Sequence, residues 1–228
     1  MLVYLVNIFL IIVWALIFRI GKKNKLKQIL FVLICFTQCV LISGFRYDVG
    51  YDYPQYSAGF FRMVVDGFSD LTHEDWEIGY IIFNKLIGLF TAWPKDFIMI
   101  SSAASLIGPA YLIARYSKGS FISVFLYVNL YLFYLDMNFI RQAMAMSILC
   151  FAYGFLRDGK FWRFLAFVIF ASLFHFTALY MIPVYFVCRL KINSRTLLLY
   201  LFGLFYYYLL SDCLLKLVLS KFHAEYLN

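Results

Sequence analysis

Charged residues are scarce in this chain. Only 14% of its 228 residues are Asp, Glu, Lys or Arg, whereas 64% are hydrophobic and 22% are aromatic. Soluble domains are about a quarter charged and about half apolar, so a soluble fold of this size could not bury so much apolar surface. Because a lipid bilayer solvates such surface, the composition predicts an all-α, polytopic integral membrane protein.

Signature motifs of common soluble enzymes are also missing. The sequence has no Walker A motif, G-x-G-x-x-G, H-E-x-x-H or G-x-S-x-G, so ATPase, dehydrogenase, zinc protease and serine hydrolase activities have no support. Five cysteines are present without a C-x-x-C pair, and all lie within or beside apolar runs. We therefore predict no disulfide framework, no metal site and no cofactor.

Basic residues are in excess, and the net charge is +8. In a soluble protein this charge would suggest nucleic-acid binding. Here the basic residues occupy short gaps between apolar runs, where membrane proteins carry orientation signals and contact lipid headgroups. We therefore expect contact with the bilayer and no nucleic-acid partner.

Apolar runs are long enough to cross a bilayer, which takes about 20 residues per helix. Seven runs qualify: 2–18, 28–45, 97–114, 120–136, 137–156, 162–187 and 196–219. An eighth run, 78–91, would reach only about 20 Å against a hydrocarbon core of about 30 Å, so it either spans or re-enters. The sequence predicts a single transmembrane domain over 1–228 with seven or eight helices, one of them short and a candidate for re-entry.

The first connection between runs is strongly basic. It holds Arg19, Lys22, Lys23, Lys25 and Lys27. The positive-inside rule places this connection in the cytoplasm, so the N-terminus and the acidic loop 46–77 are predicted to be extracytoplasmic. Sidedness beyond the loop depends on 78–91. If it spans, Asp136 faces the cytoplasm, and if it re-enters, Asp136 lies outside.

Three ionisable residues within the apolar runs, Lys85, Arg141 and His175, are candidates for function, because such groups are expensive in lipid. Arg141 lies about 6 Å into its helix, and His175 lies about 10 Å from the end of the long run 162–187. Antiparallel helices would place both at similar depth, which suits an anionic ligand such as a phosphate. The structural alternatives are a snorkelling arginine and a histidine in an interhelical hydrogen bond.

The start of the acidic loop combines carboxylates, an arginine and aromatic rings. Its residues of interest are Arg46, Tyr47, Asp48, Tyr51, Asp52 and Tyr53. Aromatic rings and carboxylates together suit sugar recognition, and an aspartate can act as a general base or bind a metal. An interfacial tyrosine belt beside a solvated loop is the alternative. Glu77, at the end of the loop, is either a second candidate base or a helix N-terminal charge.

Several blocks of residues occur in an order that resembles the EpsG family of bacterial membrane proteins, which is grouped with Wzy-type polysaccharide polymerases. The blocks are R-Y-D-V-G-Y-D-Y-P-Q-Y over 46–56, E-I-G-Y over 77–80, Y-S-K over 116–118, R-Q-x-x-A over 141–145 and A-S-L-F-H-F-T-A-L over 171–179. The family usually continues with further membrane helices, so a chain ending at Asn228 is expected to be a short or truncated member.

The resemblance implies a polymerase of the inner membrane of bacteria. It would be a glycosyltransferase-type enzyme that joins polyprenyl-pyrophosphate-linked oligosaccharide units into exopolysaccharide, capsule or O-antigen. Catalytic roles would fall to Asp48, Asp52, Glu77 and His175. Substrate binding would fall to Arg46, Arg141, Gln142, Tyr47, Tyr51 and Tyr53. The alternative is a non-catalytic transport or scaffold component that works with other polysaccharide-assembly proteins.

Overall fold

The computed structural model describes residues 2–18, 24–66, 76–191, 193, 197–203 and 206. These residues form helices and connections without strands. The helices are α1 Leu2–Ile17, α2 Lys25–Gly44, α3 Tyr53–Asp66, α4 Ile78–Gly88, α5 Pro94–Tyr116, α6 Ser120–Asn129, α7 Leu132–Asn138, α8 Ile140–Arg157, α9 Phe161–Ser172, the 3₁₀ helix Phe176–Tyr180 and α10 Met181–Val187. The all-α prediction is confirmed for these residues.

The chain divides into two compact units, residues 1–182 and residues 183–228. All helices from α1 to the 3₁₀ helix belong to the first unit, which is the unit considered below. In the second unit, residues 197–203 are helical. Most of the predicted run 196–219 therefore falls outside the described residues.

Two described helices, α2 and α5, are long and apolar enough to cross a membrane. The pair α6 and α7 would form a third crossing that bends by 53° at its break. α1, α4 and α9 are shorter apolar helices, and the 3₁₀ helix and α10 together make another. Apolar helices of this kind agree with a membrane protein, while the count of seven or eight spans stays a prediction.

Two predicted runs are interrupted. The run 120–136 breaks between α6 and α7, where Tyr131 adopts a left-handed φ of 70°. The run 162–187 ends as a regular helix at Ser172, and His175 is extended before the 3₁₀ helix begins. A continuous helix over 162–187 was therefore wrong. The backbone groups released by this break are satisfied from elsewhere, since the carbonyl of Leu173 accepts a hydrogen bond from the Gly79 N–H at 2.8 Å.

The acidic loop 46–77 is partly helical, because it contains α3. Tyr56, Phe60 and Met63 recur at helical spacing on this helix and are all buried. The stacked rings of Phe60 and Phe97, 4.6 Å apart, pack α3 against α5. The first part of the acidic loop is thus held to the helical core.

α2 and α5 are antiparallel. At one end the Lys25 ammonium donates a 2.5 Å hydrogen bond to the carbonyl of Ala114. At the other end the hydroxyls of Ser43 and Ser102 lie 2.8 Å apart. We call these the Lys25 end and the Ser43 end. The segment between the two helices, which contains α3 and α4, therefore begins and ends at the Ser43 end.

This arrangement bears on the short run 78–91. α4 has 11 residues, so it is about 16 Å long and shorter than a bilayer core of about 30 Å. Since the chain enters and leaves this segment at one end, the structure agrees with the re-entrant alternative. Asp136 lies near the end of α7, where Asn138 accepts a hydrogen bond from Tyr51 of the loop at 2.8 Å.

α5 and α8 are parallel and very close. The Ser147 hydroxyl enters the backbone ladder of α5, accepting from the Gly108 N–H at 2.9 Å and donating to the Ala104 carbonyl at 2.7 Å. A Cβ on Gly108 would lie only 2.1 Å from the Ser147 carbonyl oxygen, so the crossing requires glycine. Pro109 follows directly within α5, where a proline loosens the helical ladder.

α9 runs antiparallel to α8 and brings its C-terminal end to the Ser43 end. The rings of Phe155 and Phe167 are 5.6 Å apart near the other end of this pair. Arg157, at the end of α8, lies 5.2 Å from the ring of Tyr116, at the end of α5. The beginning of α8 and the end of α9 consequently meet at the Ser43 end.

Candidate functional site

Glu77 is the centre of a cluster at the Ser43 end. It precedes α4 in an extended conformation and does not cap that helix with its side chain. Its Oε2 accepts a 2.7 Å hydrogen bond from Nη1 of Arg141. Its Oε1 lies 2.7 Å from Nδ1 of His175 and accepts the backbone N–H of Phe176 at 3.2 Å. Both oxygens of one carboxylate are thus engaged by residues of two other helical segments.

The cluster is shielded from solvent. The side chains of Glu77, Arg141 and His175 are 17%, 21% and 18% exposed. Burial acts to raise the pKa of the Glu77 carboxyl. Hydrogen bonds from the backbone N–H of Glu77, from His175 and from the Phe176 N–H, together with the charge of Arg141, outweigh burial and leave that pKa below its usual range. Glu77 is therefore ionised at neutral pH.

An ionised Glu77 fixes the tautomer of His175. A carboxylate without a proton only accepts hydrogen bonds, so Nδ1 of His175 carries the proton of the bond to Oε1. The second ring nitrogen, Nε2, makes no hydrogen bond to the described part of the chain. With Nδ1 bound to the Glu77 carboxylate, Nε2 is the ring nitrogen that can accept a proton from a substrate. A histidine general base and the carboxylate that orients it have this geometry.

A close backbone contact holds Glu77 near His175. The Gly79 N–H donates to the Leu173 carbonyl, and a Cβ on Gly79 would lie 2.7 Å from both that oxygen and the Leu173 Cβ. The start of α4 therefore touches the end of α9 only because residue 79 is a glycine. Glu77 and His175 lie two residues from the two ends of this contact.

Aromatic residues support Arg141. Its guanidinium lies 5.6 Å from the centre of the Trp76 ring, which favours a cation. The Tyr56 hydroxyl interacts electrostatically with Arg141 as well. Tyr56, Trp76 and Tyr80 form a mutually packed set with ring centres 5.2 to 6.0 Å apart. The guanidinium is thus fixed on several sides.

Arg46 lies at the same end in a different environment. It is 7% exposed, and its Nη1 donates to Ser43 Oγ at 3.3 Å. Its guanidinium lies 5.8 Å from the centre of the Tyr53 ring. Nε and Nη2 are buried without a hydrogen-bond partner among the residues that the structure describes. Burial lowers the pKa of Arg46 to about 10, so the group stays protonated at neutral pH.

Asp48 and Asp52, the loop aspartates predicted to be catalytic, differ in their surroundings. Asp48 has a left-handed φ of 50° and is exposed, whereas Asp52 is half-buried and acts electrostatically on Tyr56. Within the described ranges, neither forms a hydrogen bond with Arg141 or His175. Of the three predicted sugar-stacking rings, Tyr47 and Tyr51 are 85% and 94% exposed and have an open face, whereas Tyr53 is buried.

The loop conformation depends on Asn138. Its Oδ1 accepts the Tyr51 N–H, and its Nδ2 donates to the carbonyl of Tyr134 at 2.9 Å. Gly50, with φ of 108°, would bring a Cβ to 2.9 Å from Asn138 Oδ1. This amide ties the loop that carries Asp48 to the turn before α8, three residues from Arg141.

Gln142 faces a different part of the molecule. It lines a cavity of about 650 Å³ between α5, α6, α7 and α8, together with Asp136, whose carboxylate bonds the Tyr127 hydroxyl. Most of the lining is aliphatic. The two adjacent residues of the R-Q block therefore belong to separate surroundings, Arg141 to the Glu77 cluster and Gln142 to the cavity.

Sequence reasoning missed the residues that position this site: Ser43, Tyr56, Trp76, Gly79 and Asn138. Tyr56 and Gly79 lie inside the blocks that resemble the family, which was the available signal. Across 2–18, 24–66 and 76–191, no three His, Cys, Asp or Glu side chains group as metal ligands. The absence of a metal and of a cofactor stays a prediction.

Comparison with known proteins gives one finding. The sequence model of the EpsG family matches residues 29–228, which is well over half of the chain. No curated protein and no solved structure matches.

Proposed function

The chain belongs to the EpsG family, and from this premise we propose that it is a glycosyl-transferring polymerase. Family membership and apolar helices make it a membrane protein, and the family points to exopolysaccharide biosynthesis. The substrate would be a polyprenyl-pyrophosphate-linked oligosaccharide. Its repeat units would be joined in the course of exopolysaccharide, capsule or O-antigen assembly.

The observation that carries the proposal is the contact between Glu77 and His175 with Arg141 on the second carboxylate oxygen. In this proposal, Nε2 of His175 takes the proton of the acceptor sugar hydroxyl. The acceptor oxygen then bonds to the anomeric carbon of the donor. The bond from that carbon to the pyrophosphate oxygen breaks, and polyprenyl pyrophosphate leaves with the electron pair. Glu77 stabilises the charged imidazolium that results.

The loop residues would bind the sugar. Tyr47 and Tyr51 offer exposed rings at the Ser43 end, and Asp48 and Asp52 offer acceptors for sugar hydroxyls. Either aspartate is the alternative base, as the sequence suggested, if the acceptor approaches from the loop. One of the two predicted arginines, Arg46 or Arg141, supplies positive charge for the pyrophosphate. Gln142 lines the aliphatic cavity, which we assign to the first isoprene units of the polyprenyl chain.

Charge distribution supports an extracytoplasmic site. Lys25, Arg115 and Arg157 gather at the Lys25 end, and the positive-inside rule places such an end in the cytoplasm. The Ser43 end, with Glu77 and His175, then faces outward. The N-terminal end of α1 would lie there as well. A site on this face would meet lipid-linked units displayed outside the bacterial inner membrane.

The direct test is chain lengthening by the purified protein. Full-length protein in lipid nanodiscs receives lipid-linked repeat units, and products are separated by size. We expect a ladder of longer products with wild type and loss of the ladder with His175→Ala. A folded wild type that gives no ladder would favour the second candidate, a non-catalytic component of the assembly machinery. Only the family assignment supports that candidate, because the family points to exopolysaccharide biosynthesis in general.

A further inference from the structure

The two arginines at the Ser43 end differ in how they are paired. Arg141 is bound to the Glu77 carboxylate, so its charge is compensated within the protein. Arg46 forms no ion pair with any residue that the structure describes. Its Nη1 bonds a neutral hydroxyl, and its Nε and Nη2 are buried and unpartnered.

A buried, uncompensated guanidinium is costly. Removing a charge from water without an opposite charge costs several kcal/mol, and each buried donor left unpaired costs about 1–3 kcal/mol. The Ser43 hydroxyl oxygen and the face of the Tyr53 ring reduce this cost by contacting the guanidinium, but neither carries a negative charge. A buried guanidinium that lacks a negatively charged partner at a candidate site indicates that the site binds an anion.

The unpaired donors also have a defined geometry. Nε–H and the nearer N–H of Nη2 point in parallel from one edge of the planar guanidinium. This edge binds two oxygens of a phosphate or carboxylate at once. The third nitrogen, Nη1, is on the other edge and is the one that Ser43 anchors. The edge of Arg46 that can bind two oxygens is thus the edge without a hydrogen-bond partner.

We propose that Arg46 is the oxyanion-binding residue of the site, with a pyrophosphate as its ligand, whereas Arg141 is a positioning residue that holds Glu77 against His175. The choice of pyrophosphate rests on the proposed function, because the donor carries that group. The division between the two arginines rests only on their contacts.

Binding of inorganic pyrophosphate to the full-length protein in phosphatidylcholine nanodiscs tests this division. Arg46→Met should weaken binding at least about tenfold, since charge-assisted hydrogen bonds of this kind are worth about 1.5–3 kcal/mol. Arg46→Lys, which keeps the charge without the fork, should fall between. Arg141→Met should bind within about threefold of wild type. Arg62→Met, on the exposed side of α3, is the matched control and should bind as wild type does.

Thermal unfolding without ligand gives a second readout that a structural role would not produce. Arg46→Met removes an uncompensated charge, so its midpoint should equal or exceed that of wild type. Arg141→Met breaks a compensated pair, so its midpoint should fall. An Arg46→Met protein that melts earlier or fails to fold contradicts the proposal, as does an Arg141 variant that loses pyrophosphate as fully as the Arg46 variant.

The lipid composition of the nanodiscs distinguishes two possible ligands of Arg46, free pyrophosphate and the phosphate of a lipid headgroup. Pyrophosphate binding that persists when phosphatidylglycerol replaces phosphatidylcholine supports a pyrophosphate site. Loss of binding in phosphatidylglycerol would assign Arg46 to a lipid headgroup and overturn the pyrophosphate assignment. A wild type that binds pyrophosphate through Arg46 but lengthens no chains would defeat the proposed function alone. Lengthening by Arg46→Met at the wild-type rate would defeat this inference alone.

Discussion

Gly79 and Leu173 touch through their backbones, although 93 residues of chain separate them. The Gly79 N–H donates to the Leu173 carbonyl at 2.8 Å, and there is no space for a side chain at position 79. Glu77 lies two residues before this glycine, and His175 lies two residues after this leucine. The distance between the carboxylate and the imidazole is therefore set by a glycine that takes no part in the chemistry.

Replacing Gly79 by alanine should reduce chain lengthening about 100-fold, because a displacement of about 1 Å in catalytic groups costs this much. The new Cβ would lie 2.7 Å from Leu173 atoms and push α4 away from the end of α9. The measurement is the initial rate of lengthening by the purified variant. Gly119→Ala is the matched control, since a Cβ there meets only an Ile122 methyl at 3.9 Å. Equal rates for both variants would contradict a positioning role for the contact.

Part of this site was accessible from the sequence. Spacing alone placed Arg141 and His175 at similar depth, and the structure brings both onto Glu77. The partner itself was not predictable, because 64 residues separate Glu77 from Arg141 and no local pattern encodes a contact across helices. Glu77 was noted only as a second base or a helix N-terminal charge.

The break in the helix before His175 could not be predicted from the sequence either. Residues 162–187 are apolar apart from a few positions such as Arg163 and His175, so hydropathy predicts one helix. The helix ends because distant groups take over its backbone hydrogen bonds, Gly79 at the Leu173 carbonyl and Glu77 at the Phe176 N–H. α3 is a different case. The spacing of Tyr56, Phe60 and Met63 is that of an amphipathic helix, a signal that the prediction of an acidic loop over 46–77 overlooked.

Cysteine labelling should show that α4 does not change sides. On a background without the native cysteines, Tyr47→Cys and Lys95→Cys flank α3 and α4, and both positions are exposed. A membrane-impermeant thiol reagent should label both from the same side, because α2 ends and α5 begins at the Ser43 end. Lys160→Cys, beyond the end of α8, should be labelled only from the other side. Labelling of Tyr47→Cys and Lys95→Cys from opposite sides would mean that 78–91 spans and would separate the loop from Arg141.

Ser147→Ala should destabilise the fold by about 1–3 kcal/mol, because the Gly108 N–H would lose its partner within the helix contact. The variant also leaves the Ala104 carbonyl without that hydroxyl. The free energy of unfolding in mild detergent is the measurement. Ser172→Ala is the control, since its hydroxyl only bonds the Ile169 carbonyl of its own helix. Equal losses for the two variants would mean that the inserted hydroxyl has no special role.

The Glu77 cluster should make stability depend on pH in the acidic range. Because the folded pKa of Glu77 lies below its ordinary value of 4.5, ionised Glu77 stabilises the fold at every pH above that value. The contribution is lost as pH falls below 4.5 and through the folded pKa. Glu77→Gln should therefore melt earlier than wild type at pH 7, and the difference should shrink towards zero on acidification. A difference that is constant from pH 7 to about pH 3 would contradict the ion-pair role.

Two of the candidate bases can be separated by substitution: His175, in the extended segment after α9, and Asp48 in the loop. The contact with Glu77 favours His175, so we expect His175→Ala to lower the single-turnover rate about 10²- to 10⁴-fold. Asp48→Asn should lose less than about tenfold, and asparagine tolerates the left-handed φ of 50° at this position, so the loop should keep its shape. Rates are compared at saturating substrate, with circular dichroism to establish folding. If the Asp48 variant is as inactive as the His175 variant while remaining folded, the proton acceptor lies in the loop. The imidazole would then act on the leaving group instead, and Glu77 would serve to keep it protonated.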